Sequence, residues 1–135
     1  MVKKFCDGNA NFVCSDVEFS LKQPNHTSDT VSKLLEMHPK TDFSVIIGQD
    51  NLIHLDQWKN YETILDTGVY VYPREIESNS NIILENHAKV KICDCKLMEI
   101  SSSEIRDNIS KGLNINHLVQ DQIIEFINKN NLYKT

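Results

Sequence analysis

The chain has 135 residues, 40% of them hydrophobic and 24% charged, which suits one domain with a real core. Lys and Arg number 14 against 19 Asp and Glu, a formal net charge of -5. That balance counts against a broad basic field for nucleic acid or for a membrane surface, but leaves room for a local anion site. No nucleic-acid or membrane partner is expected.

Met1 to Asp7 reads as the end of a helix that stops at Gly8. Phe12-Val13-Cys14 is a short apolar run and reads as a strand, and Val17 and Phe19 alternate with polar residues after it. A loop, LKQPNHT, follows. Thr27 or Ser28 can cap a helix that carries Val31, Leu34 and Leu35 on one face, with Pro39 closing it. FSVIIG (43–48) is continuously apolar and ends in glycine, as a parallel strand buried on both faces would. A helical region is expected over about 51–65, with Tyr61, Ile64 and Leu65 at packed-face spacing. VYVYP (69–73) is a strand stopped by proline, and EIESNSN (75–81) a polar loop. Short β-like runs follow at Ile82 to Leu84 and Val90 to Cys93. A helix starts near Ser102, with Ile105 and Ile109 on one face and Gly112 at its end. A last helix spans about 121–130, with Val119, Ile123, Phe126 and Ile127 as its apolar stripe. Strands alternating with helices predict an α/β fold, a parallel sheet flanked by helices. Such domains usually begin on a central strand. This chain opens on a helix end, so the first β-α unit is expected to be missing from it.

No apolar run approaches the roughly 20 residues of a membrane-spanning helix. Phe5-Cys6-Asp7-Gly8-Asn9 after the basic Lys3-Lys4 is no signal-peptide core, so a cytoplasmic protein is expected. Cys6, Cys14, Cys93 and Cys95 lack zinc-site spacing and read as reduced thiols, with no metal site expected.

The stretch EISSSEIRDNISKG (99–112) carries the most chemistry. Ser101-x-x-Glu104 matches a capping box. Arg106 lies four residues after Ser102 and three after Ser103, on their face of the helix. First-turn amides, two hydroxyls and a guanidinium would then converge where a helix already favours anions. Spacing alone leaves a capped surface helix and a phosphate site both open.

I-S-S-S-x-I-R (100–106) closely resembles the I-S-S-T-x-I-R signature of the nicotinate mononucleotide adenylyltransferase family, with Ser103 in place of threonine. H-T-S-D-T (26–30) resembles that family's Y-T-x-D-T, and I-I-G-Q-D-N-L (46–52) its I-x-G-x-D-x-L. Trp58 stands where the family has its tryptophan, and V-Y-P-R (71–74) resembles its strand-end arginine motif. L-V-Q-D-Q-I-I-E-F-I (118–127) and N-L-Y (131–133) resemble its closing segments. The resemblance covers almost the whole chain, in order. It implies a Rossmann-like nucleotidylyltransferase fold and a single domain over 1–135. The family's G-x-F-x-P-x-H-x-G-H motif is absent: none of His26, His38, His54, His87 and His117 has a glycine two residues on. The catalytic histidines are thus unknown here. The chain looks like the C-terminal part of such an enzyme and is expected to be inactive alone.

The resemblance implies adenylyl transfer from ATP, with Mg²⁺, to nicotinate mononucleotide in NAD biosynthesis. Ser101, Ser102, Ser103 and Arg106 would hold ATP phosphates. Trp58 would stack on the pyridine ring. Thr27, Thr30, Gly48, Asp50 and Arg74 would serve the mononucleotide side. Each has a plainer reading: Trp58 as core, Thr27 as an N-cap, Asp50 as a cap of the next helix, and Arg74 as partner of Glu75 or Glu77. His26 reads as a surface residue. The competing functions are another nucleotidylyltransferase, of pantetheine-phosphate or cytidylyl type, and a non-catalytic remnant that binds nucleotide or a partner. A bare sheet edge would invite pairing with another chain, so a homo-oligomer is among the expectations.

Overall fold

The computed structural model describes residues 1–75, 82–97 and 99–134. The helices are α1 (Val2–Cys6), α2 (Thr27–Met37), α3 (Gln49–Leu52), α4 (Tyr61–Thr67), α5 (Ser102–Ser110) and α6 (Asp121–Lys129). The strands are β1 (Val45–Gly48), β2 (Val69–Tyr72) and β3 (Val90–Ile92). Short 3-10 turns occupy Val17–Ser20 and Leu55–Gln57. Among the described residues no helix is long and apolar enough to cross a membrane. The chain divides into two compact units, Asp16–Glu99 and a second made of Met1–Ser15 with Ile100–Thr135.

The first unit is α/β, as expected, with a parallel sheet in the order β1-β2-β3. Val45 pairs with Val69 and Gly48 with Tyr72; Val69 in turn pairs with Val90. The pleat turns Ile47, Val69 and Val71 into a core with Leu52, Leu55, Ile64, Leu65 and Leu84. Leu55, Ile64 and Val71 have no exposed surface at all. Each such burial contributes roughly 1.5–3 kcal/mol relative to exposure.

Several expectations are corrected here. β1 is buried on one face only: Ile46 is 72% exposed, and its partner Tyr70 is also exposed, with the Lys91 ammonium 5.5 Å from its ring centroid. Ile46 shares its face with these residues while the packed core lies on the other, so the apolar run reflects parallel pairing without double burial. Phe12-Val13-Cys14 is not a strand, and Val13 is 88% exposed. β-branched and aromatic propensity makes a strand only where a neighbour completes the ladder. Ile82 to Leu84 enters a turn, held by the Glu85 N–H donating to the Ile82 carbonyl and His87 N–H to Leu84. Its apolarity serves the core, which buries Leu84. The helical region 51–65 is broken into α3, a 3-10 turn and α4, and the left-handed Asn60 (φ 48°) separates the turn from α4. The N-cap of α2 is His26, in extended conformation, and neither Thr27 nor Ser28. Val17 and Phe19 lie in a 3-10 turn where alternation suggested extended chain. The loop at 75–81 lies outside the described residues beyond Glu75.

The second unit is helical. Ile109, Ile115 and Ile127 form its core, with Ile105, Leu118, Val119, Ile123, Ile124 and Leu132 packed around them. The expected stops hold. α5 ends at Gly112 (φ 69°), whose N–H bonds to Ile109 while that of Leu113 reaches back to Asn108. α6 ends the same way, with Asn131 (φ 48°) in the left-handed position and the Leu132 N–H on Ile127.

Candidate functional site

In the α/β unit, the 3-10 turn Leu55–Gln57 sits on the fully buried Leu55. Trp58 follows in extended conformation, and the left-handed Asn60 then redirects the chain into α4. The Tyr61 N–H bonds back to the Trp58 carbonyl. These constraints fix the indole at the margin of the core, half-buried and packed against it. Trp58 is therefore both core and wall: it lines an open cavity of about 550 Å³ with Asn25, His26, Thr27, Gln57, Lys59 and Ile64.

Thr27 opens α2, so the cavity meets the amino end of an 11-residue helix. The N-cap residue His26 gives no side-chain hydrogen bond to the first turn. Uncapped first-turn amides carry partial positive charge and favour an anion. Ser28, beside Thr27, is buried, and its hydroxyl has no hydrogen-bond partner among the described residues. Thr30 is placed differently. Its hydroxyl donates to Glu18 Oε1 at 3.0 Å, tying α2 to the turn Val17–Ser20, and it does not line this cavity. His26 is half-buried and borders two cavities, unlike the plain surface residue expected from the sequence.

A second cluster forms where β1 ends. Gly48 is the N-cap of α3, Asp50 sits in that helix's first turn, and Arg74 follows β2. Arg74 Nε lies 3.7 Å from Asp50 Oδ1. Arg74 thus pairs with Asp50; a pairing with Glu77 falls outside the described residues. A Cβ on Gly48 would collide with Asp50 Oδ1, and would come within 2.8 Å of Arg74 Cδ and 3.2 Å of Tyr72 Cζ. Glycine is therefore what lets these side chains close over the strand end.

In the helical unit the Ser101 hydroxyl accepts the Glu104 N–H at 3.1 Å, an N-cap as the sequence suggested. Arg106 Nη2 donates to Ser103 Oγ at 3.2 Å, so serine and arginine do share a face. Ser102, Ser103 and Arg106 are exposed.

The sequence reading missed Lys59, Asn25, Gln57 and Tyr72. Gln57 and Lys59 flank Trp58, a local signal that was available. Asn25 directly precedes H-T-S-D-T (26–30) and Tyr72 lies inside V-Y-P-R (71–74), so both stood at motifs already noted, without a sign of what they would face.

No protein-family model matches the chain. Several curated relatives do. A protein of Flavobacterium johnsoniae named "Probable nicotinate-nucleotide adenylyltransferase" is 44% identical over 121 residues, 89% of this chain and 63% of that protein. A protein of the same name from Christiangramia forsetii is 36% identical over 135 residues, 99% of this chain and 70% of that protein. The chain belongs to the nicotinate-nucleotide adenylyltransferase family. A Clostridium botulinum relative of that name is 30% identical over 143 residues, 71% of its length. The chain spans less than two thirds of the Flavobacterium proteins, 63% of each. Family membership supports the sequence assignment over an unrelated α/β architecture.

Proposed function

We propose that this chain provides the pyridine-nucleotide and phosphate-holding part of an enzyme that transfers the adenylyl group of ATP to nicotinate mononucleotide, giving nicotinate adenine dinucleotide and pyrophosphate in the cytoplasm. Residues 1–135 would belong to one such domain. The observation that carries the reading is the cavity in which Trp58 stands beside the uncapped start of α2. A flat indole suits a flat pyridine ring, and such stacking contributes about 1–3 kcal/mol in comparable base–aromatic contacts. The helix start and the Thr27 hydroxyl offer donors to an anionic substituent on that ring.

The nucleophile is the mononucleotide phosphate, already an anion, so no strong base is required. It attacks the α-phosphorus of ATP and pyrophosphate leaves. The residues of this chain would act by alignment and charge stabilisation. Ser102, Ser103 and Arg106 hold triphosphate oxygens, Ser101 keeps the helix start in shape, and Gly48, Asp50 and Arg74 form the mononucleotide side of the strand end. Thr30 acts through Glu18 by fixing α2. Among the described residues no three His, Cys, Asp or Glu side chains gather to cage a metal. Mg²⁺ would come with ATP and would help neutralise triphosphate charge, beside Ser102, Ser103 and Arg106 on the phosphates.

A second reading is a chain that binds nucleotide or a partner without turnover. One experiment separates the possibilities. The purified chain, checked for folding by circular dichroism, is titrated with nicotinate mononucleotide while Trp58 fluorescence is followed, and with Mg²⁺-ATP by calorimetry; dinucleotide synthesis is assayed in parallel. Saturable quenching without synthesis is expected. Arg106→Ala should weaken ATP binding about tenfold, as loss of a charge-assisted contact does, and leave the quenching unchanged. Absence of quenching in the folded chain refutes the pyridine site, and unchanged ATP binding refutes the role of Arg106.

A further inference from the structure

We propose that Cys93 and Cys95, just past the end of β3, form a reversible redox site. The pair is a dithiol that closes to an internal disulfide by exchange with a low-molecular-weight disulfide such as oxidised glutathione. The inference is independent of the nucleotide reading above.

Both cysteines are free thiols, Cys93 half-buried and Cys95 exposed. Their local backbone is already folded toward closure. The Cys95 N–H donates to the Cys93 carbonyl at 3.1 Å, an i to i+2 bond that makes residues 93–95 a γ-turn. Two trans peptide units span at most about 7 Å between their outer Cα atoms when extended. The closing hydrogen bond draws Cys93 and Cys95 inside that limit, toward the roughly 4.4–6.8 Å that a disulfide bridges. The same two residues in a straight strand would lack this shortening. The turn is anchored at one end. The Cys93 N–H donates to the Val71 carbonyl at 2.8 Å, which extends the β2–β3 ladder one step beyond Ile92. Asp94, between the cysteines, is exposed, so closure displaces no packed side chain there. Cys6 and Cys14 belong to the other compact unit, which leaves each thiol of the pair as the other's partner within the α/β unit.

The difference in exposure orders the steps. The Cys95 thiolate attacks one sulfur of the small disulfide. That S–S bond breaks, one small thiol leaves, and a mixed disulfide forms at Cys95. The Cys93 thiolate then attacks the Cys95 sulfur, and the second small thiol leaves. One small disulfide is reduced to two thiols while two cysteine thiols are oxidised to one bridge, and the leaving thiols carry off the two cysteine protons. A ring with a single residue between its cysteines is strained, and strain makes a disulfide easier to reduce. An excess of small thiol therefore reopens it. Strained, exposed disulfides are the labile and regulatory class, distinct from those that hold a fold together.

The test exposes the 135-residue chain to oxidised and reduced glutathione at a series of ratios, blocks the remaining thiols with iodoacetamide, and digests with trypsin without reductant. Cleavage after Lys91 and Lys96 isolates residues 92–96, which hold both cysteines, for mass spectrometry. With oxidised glutathione in excess, that peptide should lose two hydrogens and take up no blocking group. Excess reduced glutathione should restore two blocked thiols. Cys6→Ser combined with Cys14→Ser should leave this result unchanged. Cys93→Ser should instead hold a stable mixed disulfide at Cys95, because the second attacking thiol is gone. At fixed reduced glutathione, half-oxidation of the folded chain should need about fivefold less oxidised glutathione than the urea-unfolded chain, the worth of one retained hydrogen bond. A doubly blocked peptide at every ratio overturns the proposal. So do persistent mixed disulfides on the unsubstituted pair, or a bridge from either cysteine to Cys6, Cys14 or a second chain. Equal half-points for the folded and unfolded chains overturn it as well, since the turn would then contribute nothing.

Discussion

The two compact units of this chain differ in how completely they bury their side chains. Among the described residues, the fully buried large side chains Leu52, Leu55, Ile64, Val69 and Val71 all lie in the α/β unit. The best buried residue of the helical unit is Ile127, still 3% exposed. Their candidate ligand groups differ in the same sense. Trp58, Thr27 and Lys59 border a cavity whose back wall includes the core residue Ile64. Ser102, Ser103 and Arg106 stand exposed on the first turns of α5. A stacking site needs walls, and walls need a core behind them. A phosphate-holding helix start needs only a well-capped turn, which local sequence can supply.

That contrast can be broken most severely at the cores. Ile64→Ala should destabilise the chain by about 4 kcal/mol and Ile127→Ala by about 2–3 kcal/mol, measured by urea unfolding. Equal losses would mean that the two cores are equally dense. Ile64→Ala should also weaken mononucleotide quenching of Trp58, because it removes part of the cavity wall.

Gly48→Ala sharpens the contrast at the strand end. The new methyl meets Asp50, Arg74 and Tyr72 and should cost about 1–3 kcal/mol, as overpacking does. A stability within experimental error of the unsubstituted chain would show that these side chains move aside freely.

The smallest effect is expected at the helix start. Ser101→Ala removes the acceptor of the Glu104 N–H and should cost about 1 kcal/mol. The loss should appear as faster amide hydrogen exchange in the first turn of α5. Unaltered exchange there would remove Ser101 from the cap.

Much of the fold was legible from the sequence because its signals are local. Gly112 and Pro39 stop helices through their own backbone constraints. The apolar runs at 43–48 and 69–73 read as strands, and within them Val45–Gly48 and Val69–Tyr72 pair in parallel. The failures share one cause. Phe12-Val13-Cys14 and Ile82 to Leu84 have strand-like composition, but a strand exists only with a hydrogen-bonding neighbour, and that is a property of distant residues. Of the candidate site, the motifs pointed to Thr27, Trp58, Ser101 and Arg106 as residues. They did not indicate which cavity each would border.

By itself the sequence determined the helix stops, the strand runs, the cap at Ser101 and the spacing that sets Arg106 over Ser103, because each depends on a few covalently adjacent residues. Tertiary structure alone decided that Thr30 turns to Glu18, that Asp50 meets Arg74, and that Lys59 meets Asp29 at the edge of the Trp58 cavity. Those contacts join side chains 12 to 30 positions apart, and only the packing of strands and helices brings such groups within hydrogen-bonding or ion-pairing reach.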